Sequence, residues 1–218
     1  MRFENIQVFN FEGALRGMRN PLASWHKSDS KIIWEYNEMP RYEIGENDIA
    51  LARRLIAGGT EHRKFLRQIM VSVDITAPLY WWKEFDTYKV GTTANSTSTM
   101  HKLASKPITL DCFEIDDYDD SLTLEHRPNG TCVGIIVDDL IDDLEALRQK
   151  YLETNDKSYW KELVRWLPES WLQTRTVTMN YENLRSMYHQ REHHKLTEWH
   201  TFCNVVASLP YAKEFIIE

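Results

Sequence analysis

The feature that most constrains this chain is a strand that runs directly into a proline-opened helix. Ile69, Val71, Val73 and Ile75 alternate with Met70, Ser72 and Asp74, the period of a half-buried strand. Ala77-Pro78 follow, and Pro78 suits a first helical turn because the N–H it lacks has no intrahelical partner there. Leu79 to Tyr88 then reads as a helix with Trp81, Trp82 and Phe85 supplying bulk. After it come Gly91, Thr92, Thr93, Asn95, Ser96, Thr97, Ser98 and Thr99. Such a run makes a poor core and a poor helix, but its hydroxyl and N–H groups can bind phosphates, sugars or a base. The same composition also describes a solvated connector of turn formers. The rest of the chain is organised around this stretch, Thr76 to Leu103.

A chain of 218 residues is large enough to bury a core without disulfides or metals, and one domain over residues 1–218 is expected. Hydrophobic content of 42% with 27% charged residues belongs to the globular class. No run of eighteen apolar residues occurs and MRFENIQVFNF lacks a signal-peptide layout, so a cytoplasmic protein is expected, with no membrane partner. Cys112, Cys132 and Cys203 are odd in number and widely spaced, which argues for reduced thiols and against a zinc site. A net charge of −7 speaks against general nucleic-acid binding but leaves room for one nucleotide in a local cationic pocket.

In chain order, Ile6 to Phe11 reads as a strand and Glu12 to Arg19 as a short helix stopped by Asn20-Pro21. Arg2, Arg16 and Arg19 read as solvent-facing. A helix is expected over Asn47 to Ala57, with Asn47 or Asp48 as its N-cap and Gly58-Gly59 as its stop. Ile108 to Thr131 reads as an acidic, solvated loop carrying Glu114, Asp116, Asp117, Asp119 and Asp120, with a turn at Arg127-Pro128-Asn129-Gly130. Val137 to Tyr151 is amphipathic, with Val137, Leu140, Ile141, Leu144, Leu147 and Tyr151 in one stripe. Tyr159 to Leu167 reads as a helix ended by Pro168, and Thr174 to Thr178 as a strand or an extended lead-in. His189 and His193 stand at helical spacing, but no HExxH order and no third ligand accompany them, so no metal is assigned.

Read without gaps, the organising stretch resembles the central segment of the flavin-dependent thymidylate synthases. Ala77-Pro78 match that family's strand-to-helix junction, and Lys102-Leu103 match the end of its polar loop. Asn180 and Arg191, eleven residues apart in NYENLRSMYHQR, match an Asn near the flavin and an Arg that contacts the nucleotide. Leu209-Pro210 and Phe215 match the closing motif. The family's Arg-His-Arg triad falls on Thr87, Tyr88 and Lys89. Its serine falls on Thr97, the arginine after that on Thr99, the acidic residue before it on Asn95, and a glutamine on Glu84. Arg165, in ELVRWLP, stands one residue nearer Leu-Pro than the family's substrate-binding arginine.

The resemblance implies an α+β fold with a central antiparallel sheet and long helices, assembled as a homo-oligomer. It implies Thr97 and Arg191 as catalytic residues. Thr87, Tyr88, Lys89, Asn95 and Asn180 would hold FAD, and Glu84, Thr97, Thr99, Arg165 and Arg191 would hold a pyrimidine nucleotide. Active protein would methylate dUMP with methylene-tetrahydrofolate. Thr87 and Tyr88 carry no charge, however, and Lys89 lacks the fork with which arginine grips a phosphate, so weak or absent flavin binding is expected. The alternatives are a nucleotide-binding or sequestering oligomer without redox chemistry, and a purely structural oligomer. The family builds its pockets from several chains, so a homotetramer is expected in solution; light scattering at micromolar concentration checks this, and a monomer would refute it.

Overall fold

Residues 1–36, 40–125 and 130–218 are described by a computed structural model. The elements in chain order are β1 (Arg2–Phe9), α1 (Phe11–Arg19), β2 (Lys31–Ile33), β3 (Arg41–Glu43), α2 (Glu46–Ala57), β4 (Met70–Pro78), α3 (Leu79–Phe85), β5 (Thr93–Ser96) and α4 (Thr99–Lys102). There follow β6 (Thr123–Leu124), β7 (Thr131–Cys132), α5 (Val133–Thr154), α6 (Lys157–Trp166), β8 (Leu172–Asn180), α7 (Tyr181–Arg191) and α8 (Thr197–Ala207). The fold is α+β, and its antiparallel central sheet has the order β1-β4-β8-β5. The expected turn at Arg127, Pro128 and Asn129 lies outside the described residues. No helix of the described residues is long and apolar enough to cross a membrane.

The chain divides into two compact units. The first comprises Met1–Arg2, Ile75–Asp86 and Ser96–Arg175. Here Pro78 ends β4 and stands at the N-cap of α3. The helix stops at Phe85, three residues sooner than the sequence suggests. Trp81, Trp82 and Phe85 are fully buried and pack on one another with ring centroids 4.9–5.3 Å apart. Leu103, Ile108, Phe113, Leu144 and Leu163 form a further cluster. Of the predicted α5 stripe, Leu144 is buried while Leu140 is exposed. Arg148, also buried, is bonded to Glu145 Oε1 at 2.6 Å and donates to the Ala104 carbonyl at 3.2 Å. Glu145 accepts the Ile108 N–H at 2.8 Å, which ties the segment before the acidic loop to α5.

The second unit comprises Phe3–Asp74, Thr87–Asn95 and Thr176–Glu218. Its core gathers Phe11, Phe65, Tyr181 and Phe215 in edge and tilted ring contacts. The Tyr181 hydroxyl is satisfied by the Pro210 carbonyl at 2.6 Å. Two sequence readings are corrected in this unit. Arg19 does not face solvent: it is buried and donates to Asp48 Oδ1 at 2.6 Å, while Ser28 and Ser30 donate to Oδ2, each at 2.5 Å. Nor do Asn47 or Asp48 cap α2. Its N-cap is Gly45; the Asn47 N–H donates to the Asp29 carboxylate at 3.0 Å, and the Asp48 N–H is shared between the Gly45 carbonyl at 3.1 Å and Asp29 at 3.3 Å. A Cβ at position 45 would lie 2.2 Å from Asp29, so only glycine lets that carboxylate approach.

Burial pushes the Asp48 carboxyl up, but the bonds from Ser28, Ser30 and Arg19 and the arginine's charge outweigh it and hold the group low. The Arg148 guanidinium likewise holds Glu145 at about 2. Both shifts are downward, so both contributions to stability are complete above the ordinary carboxyl range near pH 4 and are lost as pH falls through the folded values. The melting temperature is therefore expected to fall steeply between about pH 4 and pH 2. Asp48→Asn, which leaves Arg19 buried without its counter-charge, should cost about 3–5 kcal/mol in urea unfolding; a loss under 1 kcal/mol would contradict the buried pair.

Candidate functional site

In the first unit a cavity of about 800 Å³ is lined by the hydroxyl residues Thr97, Ser98 and Thr99. These residues have no apolar core of their own, and hydrogen bonds fix them. The Thr97 N–H donates to the Thr174 carbonyl at 2.9 Å, and Ser98 Oγ caps α4 by accepting the His101 N–H at 3.2 Å. Buried Gln173 reaches the same segment: its Nε2 donates to the Thr97 carbonyl at 2.9 Å and to Thr99 Oγ1 at 3.3 Å. Arg175 Nε donates to Gln173 Oε1 at 3.0 Å. The Arg175 guanidinium lies 4.2 Å over the Trp82 ring and is ion-paired to Asp86 at 2.7 Å.

Charges of both signs line this cavity. Lys102 and Lys106 supply cations, and Asp111, Glu114 and Asp116 supply carboxylates. Glu114 is anchored, accepting the Asp116 N–H at 2.8 Å. The acidic segment is thus not wholly solvated, since part of it forms a wall. Trp171 and Phe113, edge to face at 5.5 Å, add aromatic surface to the lining. The cavity can therefore take a molecule of nucleotide size that has an anionic end, a flat ring and hydrogen-bond donors of its own.

In the second unit α7 presents its two ends to one segment, Tyr88 to Gly91. At its start Asn180 and Asn183 form a reciprocal capping box, and Asn183 Nδ2 donates to the Val90 carbonyl at 2.6 Å. Gly91 has φ +77°, and a Cβ there would lie 3.0 Å from both Asn180 Nδ2 and Asn183 Oδ1. At the other end Arg191 Nε donates to the Tyr88 hydroxyl at 2.9 Å, and that hydroxyl donates to Gln190 Oε1 at 3.1 Å. The guanidinium lies 4.8 Å over Trp199 and 5.6 Å over Tyr88.

The residues singled out in the sequence thus fall into separate groups. Thr97 and Thr99 line the cavity of the first unit, whereas Glu84, half-buried on α3, and Arg165, ion-paired to Glu162 on α6, do not. In the second unit Tyr88 and Arg191 come together at the C-terminal end of α7, while Asn180 stands at its N-terminal end beside Gly91. Thr87, Lys89 and Asn95 are exposed there. Gln173, Arg175 and Lys106 escape the sequence reading. The available signal is the spacing of Gln173 and Arg175, which places both on one face of a strand. Among the described residues no three His, Cys, Asp or Glu side chains gather as a metal site. His189 Nε2 lies 3.0 Å from the Ile216 carbonyl, and His194 Nδ1 accepts the Leu196 N–H at 3.2 Å.

No family model matches this sequence, and no curated protein matches it. Solved structures do share its fold. Flavin-dependent thymidylate synthase ThyX from Helicobacter pylori, complexed with FAD and dUMP, superposes with TM-score 0.69 at 16% identity, covering 99% of this chain and 98% of that one. A second structure of the Helicobacter pylori enzyme, again with FAD and dUMP, gives TM-score 0.69 at 14% identity over 100% and 98% of the two chains. The UMP/dUMP methylase PolB from Streptomyces cacaoi, bound with 5-Br dUMP, gives 0.59 at 14% identity over 98% and 93%. The chain has the flavin-dependent thymidylate synthase fold.

The packing of α7 on the Tyr88 to Gly91 segment makes a specific demand on Gly91. Gly91→Ala introduces both a left-handed Cβ penalty and a contact with the asparagine pair. It should destabilise the protein by about 1–2 kcal/mol in urea unfolding; an unchanged midpoint would show that this segment does not hold the conformation described.

Proposed function

We propose that this protein binds a pyrimidine nucleoside monophosphate in the cavity of the first unit, on a thymidylate synthase fold and without flavin chemistry. The observation that carries the reading is the lining of that cavity. Hydroxyls of Ser98 and Thr99 with the ammonium groups of Lys102 and Lys106 suit a phosphate. Carboxylates of Glu114 and Asp116 suit sugar hydroxyls or the imide N–H of uracil. The likeness in fold to proteins solved with dUMP and 5-Br dUMP supports a pyrimidine ligand.

The same comparison raises FAD, which those synthase structures contain. A flavin dinucleotide presents a pyrophosphate that needs charge-assisted contacts, each contributing about 1.5–3 kcal/mol. At the positions that the resemblance assigns to it, Thr87 is uncharged and Lys89 brings a single charge. The Tyr88 hydroxyl already donates to Gln190 and accepts from Arg191, whose guanidinium is stacked on Trp199. These residues do not fit the group. Methylation of dUMP by the family's route needs a flavin hydride, so the reading favoured is the binding one, with the active synthase as its rival.

Thermal shift and absorbance test the reading together. Protein purified without added cofactor is expected to lack the flavin bands, and dUMP should raise its melting temperature, with stabilisation near 2.7 kcal/mol once ligand reaches about a hundred times Kd. Lys102→Ala should weaken dUMP roughly tenfold or more, the loss of one charge-assisted contact. Stoichiometric FAD in the purified protein would restore the synthase reading, and the absence of any shift with pyrimidine monophosphates would remove the nucleotide reading.

A further inference from the structure

The hairpin of α5 and α6 carries a groove that the nucleotide reading does not use. A cavity of about 490 Å³ opens between the two helices, with Leu140, Asp143, Leu147 and Lys150 on α5 and Trp166 at the end of α6. Trp166 is 63% exposed, and Leu140 is exposed as well. The indole is nonetheless held, because its N–H donates to Glu162 Oε2 at 3.1 Å. With that N–H spent inside its own helix, the ring has only apolar surface left to offer a partner. A ring already held in this way also loses little freedom on binding.

The groove is bordered by charge of one sign. Asp138, Asp139, Asp142 and Asp143 are all exposed on α5. Asp138 and Asp142 repel across one helical turn, and so do Asp139 and Asp143, at the same four-residue spacing. The helix dipole does not compensate them, since it acts within the first turn and α5 starts at Val133. The ion pairs of α5 join Arg148 to Glu145 at 2.6 Å and Lys150 to Glu153 at 3.0 Å. Among the described residues none reaches the four aspartates. The cation in the lining is therefore already neutralised, and the border keeps its negative charge.

We propose that this groove docks a basic amphipathic helix of a partner protein. The apolar face of that helix lies on Leu140, Leu147 and Trp166, and its lysines or arginines meet Asp143 and Asp139, one turn away on the same face of α5. Charge complementarity selects this occupant. A second copy of the chain would bring the same aspartates against themselves, and anionic lipid or nucleic acid would be repelled. An apolar stripe with cations beside it meets both demands of the groove at helical spacing. Trp166 is the anchor, since its ring supplies apolar area and a face for a cation.

The probe is a labelled synthetic helix with leucines at helical spacing and arginines on its flanks, read by fluorescence anisotropy on the full chain. A counterpart with glutamate in place of arginine and vesicles of phosphatidylserine are the comparisons. The basic helix is expected to bind with a micromolar Kd that weakens as salt is added. The glutamate helix should bind at least about tenfold more weakly. Trp166→Ala should cost the basic helix about thirtyfold, the effect of losing an interface anchor. Asp139→Asn with Asp143→Asn should cost about tenfold and flatten the salt dependence. All three side chains are exposed, so these variants keep the fold. Equal affinity for the two helices overturns the proposal, as does wild-type affinity in both variants or no binding at millimolar peptide. Vesicle binding that Trp166→Ala abolishes would assign the groove to a membrane, and self-association abolished by the same change would assign it to a second copy; either result overturns the proposal. None of these residues lines the nucleotide cavity, so failure here leaves the nucleotide reading standing.

Discussion

Every helix begins with N–H groups that its own turns cannot satisfy, and the way α3 satisfies its first ones determines the candidate site. Pro78 has no N–H. Leu79 and Tyr80 donate to the carbonyls of Trp171 and Glu169, each at 3.1 Å. One turn later the Trp82 indole donates to the Gln173 carbonyl at 2.9 Å. Three bonds thus fasten the start of α3 to residues 169–173, which lead into β8 and begin it. Burial of Trp81, Trp82 and Phe85 makes the arrangement costly to undo, since truncating one such ring costs about 3–5 kcal/mol. With β8 held there, the Gln173 side chain meets Thr97 and Thr99, and a polar loop that could not fold by itself acquires a defined shape.

Much of the fold was legible because it is written in local periods. The alternation from Ile69 to Ile75, the proline junction, the long amphipathic pattern of α5 and the stop after α6 each depend on neighbours a few residues away. The buried charges were not legible. Arg19 and Asp48 are 29 residues apart, and each by itself has the look of a surface or capping residue. Asp29 caps a helix that starts 17 positions later, a contact with no local trace. At the candidate site the hydroxyl run stood out because it fits neither helix nor core. Gln173 and Arg175 did not, since a polar pair on a strand has many meanings until its partners are known.

The eleven-residue interval from Asn180 to Arg191 has a structural account in this chain. Asn180 caps α7 and packs under Gly91, while Arg191 closes the same helix against Tyr88 and Trp199. A spacing that the sequence resemblance ties to ligand contacts thus serves, in this chain, to hold one helix against its neighbours. The resemblance in frame persists even where the charges around it differ.

The direction of the bonds through Arg175, Gln173 and Thr99 bears on how this sequence can drift. Each residue fixes which atom the next one presents, so the three are one unit in energetic terms and their substitutions will not add. A change at Arg175 removes one of the two bonds that orient the amide, leaving the Thr97 carbonyl to hold it, so the effect of a change at Thr99 comes to depend on the residue at 175. Relatives of this chain should therefore keep the three residues together or exchange them together, and a lone replacement within the trio would mark a lineage in which this wall of the cavity is built differently.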